Sequence, residues 1–95
     1  MRISKQELQY IKELVLKEST TAKTYLFGSR LDDSKNGGDI DILILSDNHL
    51  KAEQKSKIRW AFYEKHGEQK LDLVNFSFSE KSKFKELILL DAVEI

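Results

Sequence analysis

Apolar positions along the chain recur with two different periods, and the changes of period divide it into elements. Near the start, Leu8, Ile11, Leu14 and Val15 follow helical spacing and define one apolar face, with Lys12, Glu13 and Lys17 on the solvated side. Ser4-Lys5-Gln6-Glu7 ahead of them has the spacing of a capping box, and Ile3 and Leu8 are placed to close a hydrophobic staple around it. Lys23-Thr24 lead into a short buried strand, Tyr25-Leu26-Phe27, that ends at Gly28-Ser29. Leu31 to Lys35 reads as a short helix and Asn36-Gly37-Gly38 as a turn. A second buried strand follows with period two. Ile40, Ile42 and Ile44 share one face, while Asp39, Asp41 and Leu43 share the other.

Helical spacing returns over roughly residues 50 to 66, where Leu50, Ile58, Ala61 and Phe62 form the buried stripe. Asp47 or Asn48 is the expected cap of this helix and Gly67 its stop. A strand over Leu71 to Phe76 comes next. A last helix, capped by Ser77 or Ser79, is expected to turn Phe84, Leu87 and Ile88 inward, and Ala92-Val93-Glu94-Ile95 to add a short extended segment. The order helix–strand–helix–strand–helix–strand–helix predicts an α/β fold of the α+β kind, a small mixed three-stranded sheet with helices. Helices should cover one face and the acidic residues the other.

Composition narrows the function. A chain of 95 residues is expected to be one domain, 1–95, without room for a separate substrate domain. Its 16 basic and 16 acidic residues balance, so direct nucleic-acid binding is not expected. The absence of Cys excludes disulfides, thiolate metal sites and cysteine nucleophiles. No stretch approaches the ~20 apolar residues of a membrane span and no apolar leader opens the chain, so a cytoplasmic protein is expected.

The chemistry concentrates in YLFGSRLDDSKNGGDIDILIL, residues 25 to 45. Two carboxylates on one face of an apolar strand repel, and the second ionises with difficulty unless a cation neutralises the pair. Hard oxygen donors with no Cys or His nearby suit Mg²⁺ or Mn²⁺. Residues 28 to 48 hold Arg30 and Lys35 against five aspartates, a local charge of 2 − 5 = −3, which would repel a free nucleotide and again asks for a bound cation. Gly28-Ser29 closes a strand and can open a helix whose free N–H groups face a phosphate, and Arg30 follows directly. A third carboxylate, Asp72, is the lone acid in the apolar run Lys70-Leu71-Asp72-Leu73-Val74, where it needs a partner that a shared metal would supply. The helix over residues 50 to 66 carries a net +3, which reads as a solvated face or as a contact for a triphosphate or an acidic partner. Trp60 and Tyr63 fall off its main stripe, as a partner-facing patch or a wider core face. His49 and His66 lack metal-ligand spacing and read as structural.

Gly-Ser, a spacer of nine positions (residues 30 to 38), Asp-x-Asp and a later strand Asp resemble the motif of the nucleotidyltransferase superfamily that includes DNA polymerase beta. The short length and the LFGSR…GGDIDILI wording are similar to its minimal nucleotidyltransferases, the antitoxin partners of HEPN-domain toxins. The resemblance is closest from Leu26 to Phe76. It implies that Asp39, Asp41 and Asp72 are catalytic and hold two Mg²⁺ ions, and that Gly28, Ser29 and Arg30 bind the triphosphate of ATP or another NTP. It further implies an AMP-transferring antitoxin acting on a tyrosine of a HEPN-family toxin. The alternative of another class is a non-catalytic antitoxin that blocks its partner by occlusion.

Overall fold

A computed structural model of the chain describes residues 3–31, 39–67 and 69–95. The first helix, α1 (Lys5–Glu18), starts where the capping box places it. Ser4 Oγ accepts from Glu7 N–H, and Glu7 Oε1 accepts from Ser4 N–H, both at 3.1 Å. The chain then forms β1 (Lys23–Phe27), a 3₁₀ turn (Gly28–Leu31), β2 (Ile40–Ser46), α2 (Ala52–His66), β3 (Leu71–Ser77), α3 (Lys83–Asp91) and β4 (Val93–Glu94). Among the described residues the sheet has four strands in the order β3-β2-β1-β4, so the short extended end of the chain is a fourth strand added to the expected three. β4 lies antiparallel to β1, and Ile95 N–H donates to the Thr24 carbonyl at 2.9 Å. β1 and β2 are antiparallel, while β2 and β3 are parallel with α2 as their crossover, which makes the sheet mixed.

Period-two alternation sorts the strands into two faces. Leu26, Ile40, Ile42, Ile44, Leu71 and Leu73 pack with Leu8, Ile11, Leu14 and Val15 of α1 and with Ile58 and Phe62 of α2. This is the main core. Most of these side chains are fully buried, and burying one of this size stabilises the fold by about 1.5–3 kcal/mol. His66, at the end of α2, packs its ring against Tyr10 and Phe62, in keeping with a structural part.

The other face is divided. Toward the end of β2, Leu43 and Leu45 pack with Ile88 of α3 and the half-buried Tyr25, Val74, Phe76 and Ala92. Helices therefore do not keep to one face, because α3 roofs the apolar end of the second. Phe84 and Leu87 do not point inward as expected: they are 53% and 64% exposed. Apolar residues occur on several sides of α3, and Ile88 is its one buried hydrophobic; Phe84 stands edge to face with Phe76 at 6.2 Å between centroids yet stays largely exposed, as do Leu87 and Leu90. Its second attachment is polar. Lys85 is almost buried, and its ammonium donates to the carbonyls of Ser77, Phe78 and Glu80 at 3.1, 3.0 and 2.8 Å.

Two expected caps moved. α3 is capped by Ser82, whose Oγ accepts from Lys85 N–H. Ser77 and Glu80 do bond reciprocally, but they close the turn after β3 rather than start a helix. At α2 the N-cap is Lys51, whose N–H donates to Gln54 Oε1 at 2.8 Å. Asp47 instead accepts from the Thr21 hydroxyl at 2.7 Å. The loop into α2 is held by Asn75, which accepts from Leu50 N–H at 2.6 Å and donates to the Ile44 carbonyl at 2.9 Å. The short helix expected over Leu31–Lys35 and the turn at Asn36-Gly37-Gly38 lie, apart from Leu31, outside the described residues.

Candidate functional site

β1 stops at Phe27 because Gly28 turns the chain with φ +81°, a conformation that favours glycine. The turn that follows, Gly28–Leu31, is a 3₁₀ turn, shorter than the helix expected after Gly-Ser. A Cβ on Gly28 would run into Asp41 Oδ2 and come within 3.1 Å of its Cγ. Glycine is thus required twice at this position, for the backbone angle and for room beside the second carboxylate of Asp-x-Asp.

Strand register gathers the acids. Phe27 of β1 pairs with Asp41 of β2, and Asp41 pairs with Asp72 of β3, while Gly28, in the turn just past Phe27, lies against the Asp41 carboxylate. Residues paired in register share a face, and adjacent strands run ~4.8 Å apart. Asp39 precedes β2 by one residue and has the same parity as Asp41. Lys70 has the same parity as Asp72. Its ammonium lies 3.7 Å from Asp39 Oδ2 and 3.8 Å from Asp72 Oδ1, spanning the two strands. All three side chains are well exposed, so these contacts stabilise by no more than about 1 kcal/mol. Their value is in charge. Burial raises the Asp41 carboxyl above its ordinary pKa, and the charges of Asp72 and Asp39 raise it further, with Lys70 pulling the other way.

Among the described residues no three His, Cys, Asp or Glu side chains stand together as a ready metal cage. The donor chemistry nevertheless fits a hard divalent cation. Asp41 and Asp72 are paired on neighbouring strands with Asp39 on the same parity, burial and the charges of Asp72 and Asp39 raise the Asp41 carboxyl, and the Lys70 ammonium lies between Asp39 and Asp72.

Arg30 is half-buried, and its Nη2 donates to Gln69 Oε1 at 3.2 Å, while Gln69 Nε2 donates to Glu7 Oε2 at 3.1 Å. That chain ties the 3₁₀ turn to α1 and to the approach to β3. The side chain of Ser29 lies outside the described part of the structure. The one sign of Lys70 in the sequence is its two-residue offset from Asp72 on a strand, which puts both side chains on one face. Beyond Asp72, around the outer side of β3, opens a groove of about 460 Å³ between α2 and the start of the strand.

The model of the polymerase beta nucleotidyltransferase family matches residues 9–95. The chain belongs to this family. It is a nucleotidyltransferase, and the mixed sheet with an Asp-x-Asp strand at its centre is the polymerase-beta-like fold. Among solved structures, it is similar to a chain of the complex of tri-AMPylated Shewanella oneidensis HEPN toxin with MNT antitoxin. That likeness has a TM-score of 0.69 and 18% identity, over 97% of this chain and 71% of the other. It is also similar to a chain of the toxin–antitoxin pair MntA–HpeT, in a mutant with two aspartates changed to glutamate. There the TM-score is 0.70 and the identity 19%, over 93% of this chain and 70% of the other. No curated protein matches the nucleotidyltransferase in sequence. No helix among its described residues is long and apolar enough to cross a membrane.

Proposed function

We propose that this nucleotidyltransferase transfers AMP from ATP to a tyrosine hydroxyl of a HEPN-family toxin in the cytoplasm and thereby neutralises it. The observation that carries the reading is the pairing of Asp41 with Asp72 across β2 and β3, with Gly28 close against Asp41 and Asp39 two residues away on the same strand parity. The acceptor is supported by the structural neighbour that pairs an MNT antitoxin with an AMPylated HEPN toxin.

Asp39, Asp41 and Asp72 are the residues to hold two Mg²⁺ ions. Bound there, the metal neutralises phosphate charge and lowers the pKa of the attacking hydroxyl. The turn at Gly28 and Ser29 brings backbone N–H groups to the triphosphate, with Arg30 as a further cation. Asp72 takes the hydroxyl proton. The acceptor oxygen forms a bond to the α-phosphorus as the bond to the bridging oxygen of the β-phosphate breaks, and pyrophosphate leaves. No side chain acts as a nucleophile, so the work of the protein is alignment and charge stabilisation.

Mass spectrometry of the toxin after incubation with a sub-stoichiometric amount of this chain, ATP and Mg²⁺ tests the proposal. Excess toxin should gain AMP units and lose activity. A toxin that stays unmodified while an equimolar amount of this chain still silences it would overturn the reading in favour of occlusion. Occlusion has one observation on its side, the exposed Phe84, Leu87 and Leu90 of α3, which suit a lasting partner contact. Asp39→Asn/Asp41→Asn separates the two: a catalyst loses protection at low ratio, whereas an occluder protects at equimolar ratio with or without ATP.

A further inference from the structure

The groove beside Asp72 has a position that the transfer reaction makes meaningful. In-line displacement puts the attacking oxygen and the departing pyrophosphate on opposite sides of the phosphorus. On the proposed reading, the phosphates are held at Gly28, at the end of β1. The carboxylates of β2 and β3 come next across the sheet, and the groove opens beyond β3. A group seated in that groove therefore approaches from the side opposite the leaving phosphates, past Asp72, which takes its proton.

Its walls select what can sit there. Trp60 and Tyr63 stand edge to face on α2 with ring centroids 5.6 Å apart, and Trp60 is 63% exposed. Leu71 forms part of the opposite wall, and Arg59 ties the two together through Nε, which donates to the Leu71 carbonyl at 3.3 Å. Gln69, Lys70 and Asp72 form the polar end. An aromatic wall with a carboxylate among the polar residues that line the groove matches a planar ring that carries a hydroxyl. A serine or threonine side chain would leave most of the apolar surface uncovered.

We infer that the groove between Arg59, Trp60 and Tyr63 of α2 and Leu71 and Asp72 of β3 is the acceptor subsite, and that it receives a phenol-bearing side chain. This rests on the transferase reading for its direction, but binding can be tested apart from transfer. Trp60 is the only tryptophan of the chain, so its fluorescence reports on the groove directly. Titration of the full chain with N-acetyl-tyrosinamide should shift or quench Trp60 emission saturably, while AMP and N-acetyl-serinamide should not. A saturable response to AMP with none to the tyrosine amide would mean that the groove holds the nucleobase, and the inference would fall. In transfer assays with the toxin, Trp60→Ala should raise the KM for the toxin on the order of five- to tenfold and move the KM for ATP less than about twofold, with Trp60→Phe restoring most of the loss. A change confined to the KM for ATP, or none in either, overturns the assignment. If no transfer is detected at all, the proposed function fails and the fluorescence titration still decides the subsite. The exposure of Trp60 means that its truncation leaves the core intact, which circular dichroism can verify.

Discussion

The two faces of the sheet are built from the same strands and have opposite characters. On the α1–α2 face, Leu26, Ile40, Ile42 and Ile44 are fully buried in one continuous core. On the other, a single step along β2 separates Asp41 from Leu43, and only the apolar end is roofed, by a helix with one buried hydrophobic residue. The first face supplies stability. The second holds charge that stability alone would not retain. Period two allows one strand to serve both, because each residue's parity commits it to one side.

The sharpest way to break this comparison is Asp41→Asn. Transfer should fall on the order of 10³-fold or more, the scale of electrostatic terms in a transition state. The same change should raise the melting temperature of the metal-free protein at neutral pH. A carboxyl whose pKa is raised by folding favours the folded state when protonated, so its contribution is present in acid and lost as pH rises through the raised value. The gain of the variant should therefore shrink as pH falls into the ordinary carboxylate range. Melting curves in EDTA across that range check it, and a variant less stable than the parent at neutral pH would contradict the view of Asp41 as strained.

Next in size is a change on the closed face. Phe62→Ala should cost about 3–5 kcal/mol, most of the stability of a small domain, measured by urea unfolding. A nearly normal midpoint would mean that the main core lies elsewhere. Gly28→Val should follow, since it forces a left-handed angle on a β-branched residue, about 1–3 kcal/mol of strain, and pushes on the Asp41 carboxylate. Its loss of transfer should exceed that of Ser29→Ala, where one hydroxyl contact is worth about 1–2 kcal/mol. The smallest effect is expected on the open side. Leu87→Ala should change stability by no more than about 0.5 kcal/mol, because its side chain is already in solvent. A large loss there would show α3 to be packed more tightly than its exposure indicates.

Local patterns were legible in the sequence, and contacts between distant segments were less so. The capping box at Ser4 and Glu7 and the alternation of Ile40, Ile42 and Ile44 with Asp41 and Leu43 depend on near neighbours, and both appear as written. α3 misled because Phe84, Leu87, Ile88, Leu89 and Leu90 surround the helix, so spacing could not choose an inner face. Its buried members are Ile88 and, against its charge, Lys85. The pairing of Asp41 with Asp72 and the bridge from Lys70 required the register of β2 on β3, which no local rule supplies. The same holds for Gly28. Its positive φ was foreseeable from a turn, whereas its contact with Asp41 was not.

Lys85 gives α3 an unusual anchorage. An ammonium encircled by three peptide oxygens resembles an ion complexed by a crown ether, with the turn over residues 77–80 as the macrocycle and the helix as the tail of the guest. Such an amine is shielded from acylating reagents for as long as the host stays closed around it. In a brief acylation experiment the solvated lysines would be consumed first, and Lys85 would react only in the fraction of molecules whose last helix had lifted away. Its modification rate is then a clock for that opening, readable by peptide mapping without any engineered probe.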